Sequence, residues 1–406
     1  MSAQPFRMPL IDAFKAVASQ LIVLHHLAFY GPMSDWTHQV WPALVSWLSQ
    51  DARMAVQVFL VISGFLMVRS LAPKGVFTGG NPWALLRHRY LTIVSPYAVA
   101  IAFTVMCSWL ARQWMVHDSV PGPATAEQFV WHVLLLHSLL GFDSLSAGVW
   151  YVAIDFQLFA LMLALLWLGR RWAGQATAGV PGEAGAAEPA PNVGRVWPTL
   201  MLVVGLGLAS LWWFNRDAGY DNWAVYFFGA YASGALAWWV GNLPRSRVHT
   251  ALLALAVVLA VAALALDWRT RIALALSVAG VLALAQAKGW LYSWPRSRVL
   301  AYLGKISYGV FLMNFPVGLV VNAAFTRFAP ADVWAQTVGV VVAWLATVAA
   351  GAVFFHAVEQ PLRRFSAGLP AWGRFRTAGL AGMGWLRISV WGAALAAVLG
   401  AVFELA

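Results

Sequence analysis

Apolar segments of about 20 residues recur along the whole chain and restrict the folds that it can adopt. The chain has 406 residues, of which 61% are hydrophobic and only 10% are charged. A soluble domain carries about a quarter charged residues, and about 20 apolar residues are needed to cross a bilayer as a helix. We therefore predict an all-α, polytopic membrane helical bundle of about 10–11 transmembrane helices. The windows that meet this criterion are 8–29, 52–71, 91–111, 149–169, 196–214, 222–241, 249–266, 270–287, 299–321, 333–357 and 384–404.

Basic residues fall mainly on one side when successive loops are assigned to alternate faces of the bilayer. Cytoplasmic loops carry the excess of Lys and Arg in membrane proteins. The alternation therefore predicts a cytoplasmic N-terminus in a bacterial inner membrane, and it explains the net charge of +11 without a nucleic-acid partner. The poorer, external set of loops holds Arg53, Arg112, Arg216, Arg269, Arg327 and, at its boundary, Arg271.

Composition divides the chain into one large membrane domain and a shorter C-terminal part. The stretch 173–195 is rich in Ala, Gly and Pro, which predicts a flexible cytoplasmic linker inside a domain of residues 1–365. Residues 366–406 are expected to add a cytoplasmic loop and a further transmembrane helix. The sequence has no zinc-ligand spacing, phosphate loop or serine-centred elbow, so neither a bound metal nor an ATP-driven pump is expected.

The first apolar segment carries polar side chains at helical spacing. On an α-helix, Lys15 and His26 point within about 20° of each other and lie about 16 Å apart along the axis. Asp12 lies one turn before Lys15 and Ser19 one turn after it, on the same side. Charged groups at bilayer depth are costly and usually mark function. The segment is therefore predicted to contribute a polar stripe to a functional site.

Four parts of the chain match a family pattern in the expected order. They are LIDAFKAVASQLIVLHH (10–26), with Lys15 and His26; AVQVFLVISGFLMVRS (55–70), with Ser63-Gly64-Phe65; VWYVAIDFQLFALML (149–163); and LGKISYGVFLMNFPV (303–317) with FHAVEQPLRRF (355–365). On these motifs the chain resembles the acyltransferase-3 family of integral-membrane acyltransferases, whose members O-acylate surface glycans. It departs from the pattern at Asn314, where the family often has His, and at Asp155, where Glu is usual.

The resemblance implies an O-acyltransferase that uses cytoplasmic acyl-CoA, with acetyl as the family's commonest acyl group. The acceptor would be a hydroxyl of an envelope polysaccharide or glycolipid. Acyl-CoA is then a co-substrate, and no cofactor is expected to be bound permanently. The lipid bilayer is another expected partner. Since no extracytoplasmic domain is fused here, two alternatives stay open: the acyl group is delivered to the acceptor by this protein or by a separate extracytoplasmic transferase.

Acyl transfer to a hydroxyl requires a base that removes its proton or a nucleophile that first accepts the acyl group. A neutral imidazole can serve either need, which assigns a catalytic role to His26. Asp155, at a similar predicted depth, is expected to hold that imidazole in one tautomer. Asn314, about 21 Å into its span, is expected to donate to a developing oxyanion. Asp12 and Trp150 complete the predicted acceptor-binding set.

The predicted donor site lies towards the cytoplasmic ends of the spans. Arg87 and Arg89 precede the third span, and guanidinium groups suit the phosphates of coenzyme A. Ser63 is assigned to this set, as is Lys15, which would meet a phosphate or the pantetheine path and also counts among the catalytic residues. Two structural explanations stay open: topology alone places arginines inside, and Ser63-Gly64 suits close helix packing.

Two other classes of protein fit parts of the pattern. A transporter or flippase of a glycan or lipid would also have many spans and a polar stripe, and its product would carry no new ester. A bis-histidine haem or quinone protein is disfavoured, because His132 and His137 would point about 140° apart on a helix.

Overall fold

The computed structural model describes residues 7–177, 193–244 and 246–367, and these ranges contain helices and no strand. The predicted all-α class is confirmed. The helices are α1 (Pro9–Phe29), α2 (Pro32–Val40), α3 (Pro42–Gln50), α4 (Val56–Leu71), α5 (Pro82–Trp114), α6 (Ala126–Val133), α7 (Trp150–Thr177), α8 (Val193–Trp212), α9 (Ala224–Asn242), α10 (Arg247–Leu266), α11 (Thr270–Ala287), α12 (Arg298–Phe328), α13 (Val333–Phe354) and α14 (Gln360–Ala367). A π-helical turn, Phe355–Glu359, joins the last two.

Within the described ranges, nine helical stretches are long and apolar enough to cross a membrane. Helix α9, which matches the predicted span 222–241, is not among them, although its side chains are mostly buried. Helices α5 and α12 extend well beyond their predicted spans because their polar terminal turns remain helical, and an apolar window detects only the central part. The predicted span 384–404 lies outside the described residues.

The predicted linker overlaps the ends of two helices. Helix α7 continues to Thr177 and α8 begins at Val193, so both ends of the stretch 173–195 are helical. Residues 178–192 lie outside the described part of the chain, as does the segment 368–406.

The chain forms two compact units that are discontinuous in sequence. Unit 1 comprises the described residues of Met1–Ala18, Met54–Leu86 and Ala153–Gly304. Unit 2 comprises those of Ser19–Arg53, Arg87–Val152 and Lys305–Ala406. Helices α1, α5, α7 and α12 contribute residues to both units.

Unit 1 is organised around the contact between α4 and α9, whose backbones approach closely at two glycines. A methyl group on Gly64 would collide with the backbone carbonyl of Tyr231, and one on Gly234 would collide with that of Val61. Helix α9 also packs against α8 and α11. Small residues at both contact points allow this approach, which agrees with the packing alternative for Ser63-Gly64.

Unit 2 packs the C-terminal half of α1 and the helices α2, α12 and α13 together. Trp344 donates an indole hydrogen bond of 2.8 Å to Gln20 Oε1, which ties α13 to α1. Gly309 and Gly351 again let α12 and α13 approach at backbone distance. Arg363 forms a 2.8 Å ion pair with buried Glu359.

We predict that Gly64→Ala destabilises unit 1 by about 1–3 kcal/mol, the usual cost of overpacking, because the new methyl group meets the Tyr231 carbonyl. The matched control is Gly205→Ala in α8, where an added methyl group meets nothing within 4 Å. Thermal unfolding of the purified proteins in detergent checks the difference. Equal melting temperatures for the two variants would contradict the close contact.

Candidate functional site

His26 lies in the last turn of α1 and is 8% exposed. Its Nδ1 atom is 2.5 Å from Oδ1 of Asn314 on α12, and both residues belong to unit 2. The neighbouring His25 turns away and bonds through Nδ1 to the carbonyl of Leu48 at 3.1 Å. Consecutive histidines thus have different surroundings: one meets a side-chain amide and the other meets a backbone carbonyl.

The Asn314 amide fixes the proton position on the His26 ring. Asn314 Nδ2 donates a 2.6 Å hydrogen bond to the carbonyl of Phe311, and a carbonyl can only accept. The opposite atom of the amide is therefore the oxygen, and it accepts from Nδ1–H of His26. In the neutral ring, this places the proton on Nδ1 and leaves the lone pair on Nε2. Such a ring can act as a base or nucleophile through Nε2.

This geometry adds an orienting role to the one expected for Asn314. The predicted donation to an oxyanion stays a prediction, because one of the two N–H groups of the amide bonds to the Phe311 carbonyl while the oxygen bonds to His26. Asn314 Oδ1 makes the kind of contact with the imidazole N–H that was predicted for Asp155. An amide oxygen accepts this N–H as a carboxylate does, without adding a charge to a buried site.

Gly148 lies beside the unprotonated edge of the His26 ring. Its φ is +79°, and a methyl group added there would lie 2.9 Å from His26 Cε1 and 3.4 Å from Nε2. Only glycine adopts this backbone conformation readily, and only glycine leaves this space beside Nε2 open. The sequence analysis missed this residue, although its position two residues before Trp150 at the start of a predicted helix was a usable signal.

Aromatic packing and a second asparagine hold the end of α1 against α12. Tyr30 packs edge-on against His26 and Phe315, with ring centroids 5.6 and 5.5 Å apart, respectively. Asn322 accepts from the backbone N–H of Met33 at 3.2 Å, so it ties the turn after α1 to α12. A cavity of 10 Å³ beside His26, Asn314 and Asn322 has room for about one water molecule. The site is therefore preorganised and almost closed.

The remaining predicted catalytic and acceptor residues are distributed over both units. Asp155 is buried in α7 and belongs to unit 1. Lys15 and Asp12 are half-buried residues of unit 1 on α1, and Asp12 accepts a 2.9 Å bond from Arg7. Trp150 begins α7 in unit 2 and is half-buried. Their roles in catalysis and acceptor binding stay predictions.

The predicted donor residues are likewise divided. Arg87 and Arg89 lie in the first turns of α5 within unit 2, the first exposed and the second half-buried, whereas Ser63 is a half-buried residue of unit 1. Sequence reasoning missed a 250 Å³ pocket of unit 1 that is lined by Trp167, Arg170 and Arg171. The Arg171 guanidinium lies 4.2 Å from the Trp167 ring centroid, a cation–π contact. Donor binding at the predicted set remains a prediction.

His132 and His137 stack, contrary to the helical geometry assumed from the sequence. Helix α6 ends at Val133 and Leu135 has a φ of +60°, so the chain turns back and brings the ring centroids to 3.9 Å. His132 bonds through Nδ1 to the carbonyl of Gln128 and through Nε2 to the N–H of Leu145. Both of its nitrogens are engaged, which leaves neither for a haem iron. In the described ranges, no group of three or more His, Cys, Asp or Glu is placed to hold a metal.

Burial makes both stacked histidines poor bases. It lowers the pKa of His132 to about 4 and that of His137 to about 3, and the His132 ring lowers the latter further. A histidine in the unfolded chain has a pKa of about 6.5. Between about pH 3 and pH 6.5, the folded protein therefore binds fewer protons than the unfolded chain does. Their contribution to stability is complete above about pH 6.5 and declines as the pH falls through this window.

We predict that His137→Phe flattens this acid sensitivity, because Phe keeps the flat ring in the stack and has no titrating nitrogen. In the wild type the loss is at most about 1.4 kcal/mol per histidine and pH unit. Unfolding measured from pH 7.5 to pH 4.5 tests this, with His38→Phe as the control since His38 is exposed. A wild-type stability that does not fall across the window would contradict the buried, neutral stack.

The comparisons with known proteins identify the family. A family model described as an acyltransferase domain, acyltransferase-3, matches residues 9–356, which include His26, Gly148 and Asn314. No curated protein and no solved structure matches the chain. The match covers most of the 406 residues and agrees with the many membrane-length helices. The chain is a multi-pass membrane protein that belongs to the acyltransferase-3 family.

Proposed function

We propose that this protein is an integral-membrane O-acyltransferase that transfers an acyl group, acetyl in the first instance, from acyl-CoA to a hydroxyl. The acceptor is an envelope polysaccharide or glycolipid. The protein lies in the bacterial inner membrane with its N-terminus in the cytoplasm, so that acyl-CoA enters from the cytoplasmic side. The observation that carries the proposal is the His26–Asn314 hydrogen bond, which leaves His26 Nε2 unprotonated.

Two further features support catalysis at His26. Nearly complete burial excludes bulk water, which would otherwise compete with the acceptor hydroxyl for the acyl group. The Phe311–Asn314–His26 chain of hydrogen bonds orients the ring before any substrate binds. Preorganisation of this kind reduces the reorganisation needed in the transition state.

The proposed step is a transfer between a thioester and an alcohol. As the acceptor oxygen attacks the thioester carbonyl, its proton passes to His26 Nε2. The imidazolium is stabilised by its Nδ1–H bond to Asn314. Collapse of the tetrahedral intermediate breaks the carbon–sulfur bond, and the proton from Nε2 leaves with the coenzyme A thiol. A route in which Nε2 itself first accepts the acyl group uses the same unprotonated nitrogen.

We predict that His26→Ala lowers the rate of acyl transfer by about 10²–10⁴-fold, the usual contribution of a positioned acid–base group. His25→Ala is the matched control, because it removes an adjacent imidazole whose Nδ1 bonds to the backbone carbonyl of Leu48 and not to Asn314. Asn314→Leu should give a smaller loss than His26→Ala, and Asn314→Asp should retain more activity than Asn314→Leu because it keeps an acceptor for Nδ1–H.

The measurement is alkali-labile acyl ester on envelope glycans, determined by mass spectrometry. A deletion strain is complemented with the wild type, each variant or an empty vector, and protein levels in the membrane are matched. Ester formation at the wild-type rate with His26→Ala would contradict catalysis at this residue. Equal ester with the empty vector would remove O-acylation and favour the transport alternative.

A second prediction concerns Gly148. Gly148→Ala should reduce acyl transfer strongly, because the methyl group lies against Cε1 and Nε2 of His26. Gly141→Ala is a matched control: Gly141 has a similar φ of +75°, yet an added methyl group meets nothing within 4 Å. Both variants should lose similar stability, about 1–2 kcal/mol for a left-handed alanine. Equal activity in the two would contradict the assigned position of Gly148.

A further inference from the structure

Three of the six arginines assigned to the external loops meet at one end of unit 1. Arg216 Nε lies 3.2 Å and Arg269 Nε 3.5 Å from the same carboxylate oxygen of Asp267. Arg269 and Arg271 also both bond to the buried Asn215, at 3.0 and 2.9 Å. Two guanidinium groups thus share one carboxylate, and the third bonds to Asn215 beside them. We call Arg216, Arg269 and Arg271 the arginine cluster.

The arginine cluster holds more positive charge than the single Asp267 carboxylate that pairs with it can balance. Arg269 precedes α11 as its N-cap and Arg271 lies in the first turn, where the helix dipole disfavours positive charge. The Arg269 side chain is 10% exposed, and within the described residues its Nη2 atom and the Nε atom of Arg271 have no hydrogen-bond partner. Nearby Asp217 accepts a bond from the backbone of Gly219. An anion bound beside the arginine cluster would offset the repulsion among its three guanidinium groups.

An apolar crevice lies further along the helices that lead away from the arginine cluster. It has a volume of 280 Å³, is lined by residues of α8, α9, α10 and α11, and includes Gly207, Gly229 and Gly280. An added methyl group on Gly280 meets nothing within 4 Å, so small residues leave this space open. Val257 and Val261, which also line the crevice, are more than half exposed and open it towards the surrounding hydrocarbon.

The distance between the arginine cluster and the crevice matches the distance between the phosphate group and the hydrocarbon chains of a lipid in a bilayer. Leu276, at the upper end of the crevice, lies five residues after Arg271, about 8 Å along α11. The headgroup region of one leaflet is about 5–7 Å thick. Exposed Trp213, Trp223 and Trp268 border the arginine cluster, and tryptophan is enriched at the interface between membrane and water. The guanidinium groups therefore lie at phosphate depth and the crevice at chain depth.

From this arrangement we propose that unit 1 carries a binding site for an anionic phospholipid. The phosphate binds the arginine cluster, and one hydrocarbon chain fills the crevice between α8 and α11. Guanidinium groups bind phosphate oxygens with paired, charge-assisted hydrogen bonds. The site does not depend on the chemistry proposed for His26, because all of its residues belong to unit 1 and His26 belongs to unit 2.

The test measures lipid binding by the purified full-length protein in detergent, using native mass spectrometry and thermal shift. The probes are phosphatidylglycerol, diacylglycerol without phosphate, and inorganic phosphate without chains. Arg216→Gln and Arg271→Gln should each weaken phosphatidylglycerol binding by about tenfold or more. Gly280→Leu should also weaken it, because the new side chain fills the crevice. Arg327→Gln, which removes an exposed arginine of unit 2, is the matched control and should bind as the wild type does.

Each outcome decides for or against the lipid site. Phosphatidylglycerol binding that exceeds that of both partial probes and falls in all three variants supports it. Wild-type binding in Arg216→Gln and Arg271→Gln overturns it. Inorganic phosphate that matches phosphatidylglycerol and is insensitive to Gly280→Leu would make it a site for a free anion instead. Tighter lipid binding after truncation at residue 367 would assign the crevice to the apolar segment 384–404 and likewise overturn it.

Discussion

The site depends on one constraint: an imidazole buried in a membrane helix must have its N–H group paired. His26 meets this requirement through Asn314, and Asn314 is held in turn by the carbonyl of Phe311. The Phe311 carbonyl can only accept a hydrogen bond, so Asn314 donates to it and presents its oxygen to His26. The backbone of α12 thereby determines which nitrogen of His26 is unprotonated. In the proposed function, Nε2 is the reactive nitrogen, and the protein defines it before substrate arrives. The proposed acyl transfer uses this unprotonated nitrogen either to remove a proton or to accept the acyl group.

Close backbone approach maintains this arrangement. In unit 2, Gly309 and Gly351 bring α12 and α13 together, while Asn322 and Tyr30 tie the end of α1 to α12. Small residues permit helix contacts that larger side chains would prevent, and in a bilayer such packing replaces the hydrophobic effect as the attraction between helices. In unit 1 the same device also leaves spaces open, and the crevice beside Gly280 is one of them. Glycine therefore has two effects in this protein: it allows helices to approach closely, and it leaves space for a cavity.

The sequence predicted the helical class and most of the spans, because apolar length is a local property, and it singled out His26 by its polarity within a membrane span. It could not predict the partner of His26. Asn314 lies 288 residues away, and its role depends on which amide atom the Phe311 carbonyl engages. Nor did it predict the His132–His137 stack, since the reversal at Leu135 breaks the assumed helix. The arginine cluster was visible only as scattered external charges until α8, α10 and α11 brought them together.

The most direct test of the account is the tautomer of His26 in the membrane-embedded protein. Solid-state NMR of ¹⁵N-histidine-labelled protein in lipid bilayers measures it. The difference between the spectra of the wild type and of His26→Ala isolates the signals of the two His26 ring nitrogens. The account predicts a neutral ring with the proton on Nδ1, and loss of that preference in Asn314→Leu. A wild-type ring protonated on Nε2, or one unaffected by Asn314→Leu, would contradict the role of Asn314 and the assignment of Nε2 as the reactive nitrogen.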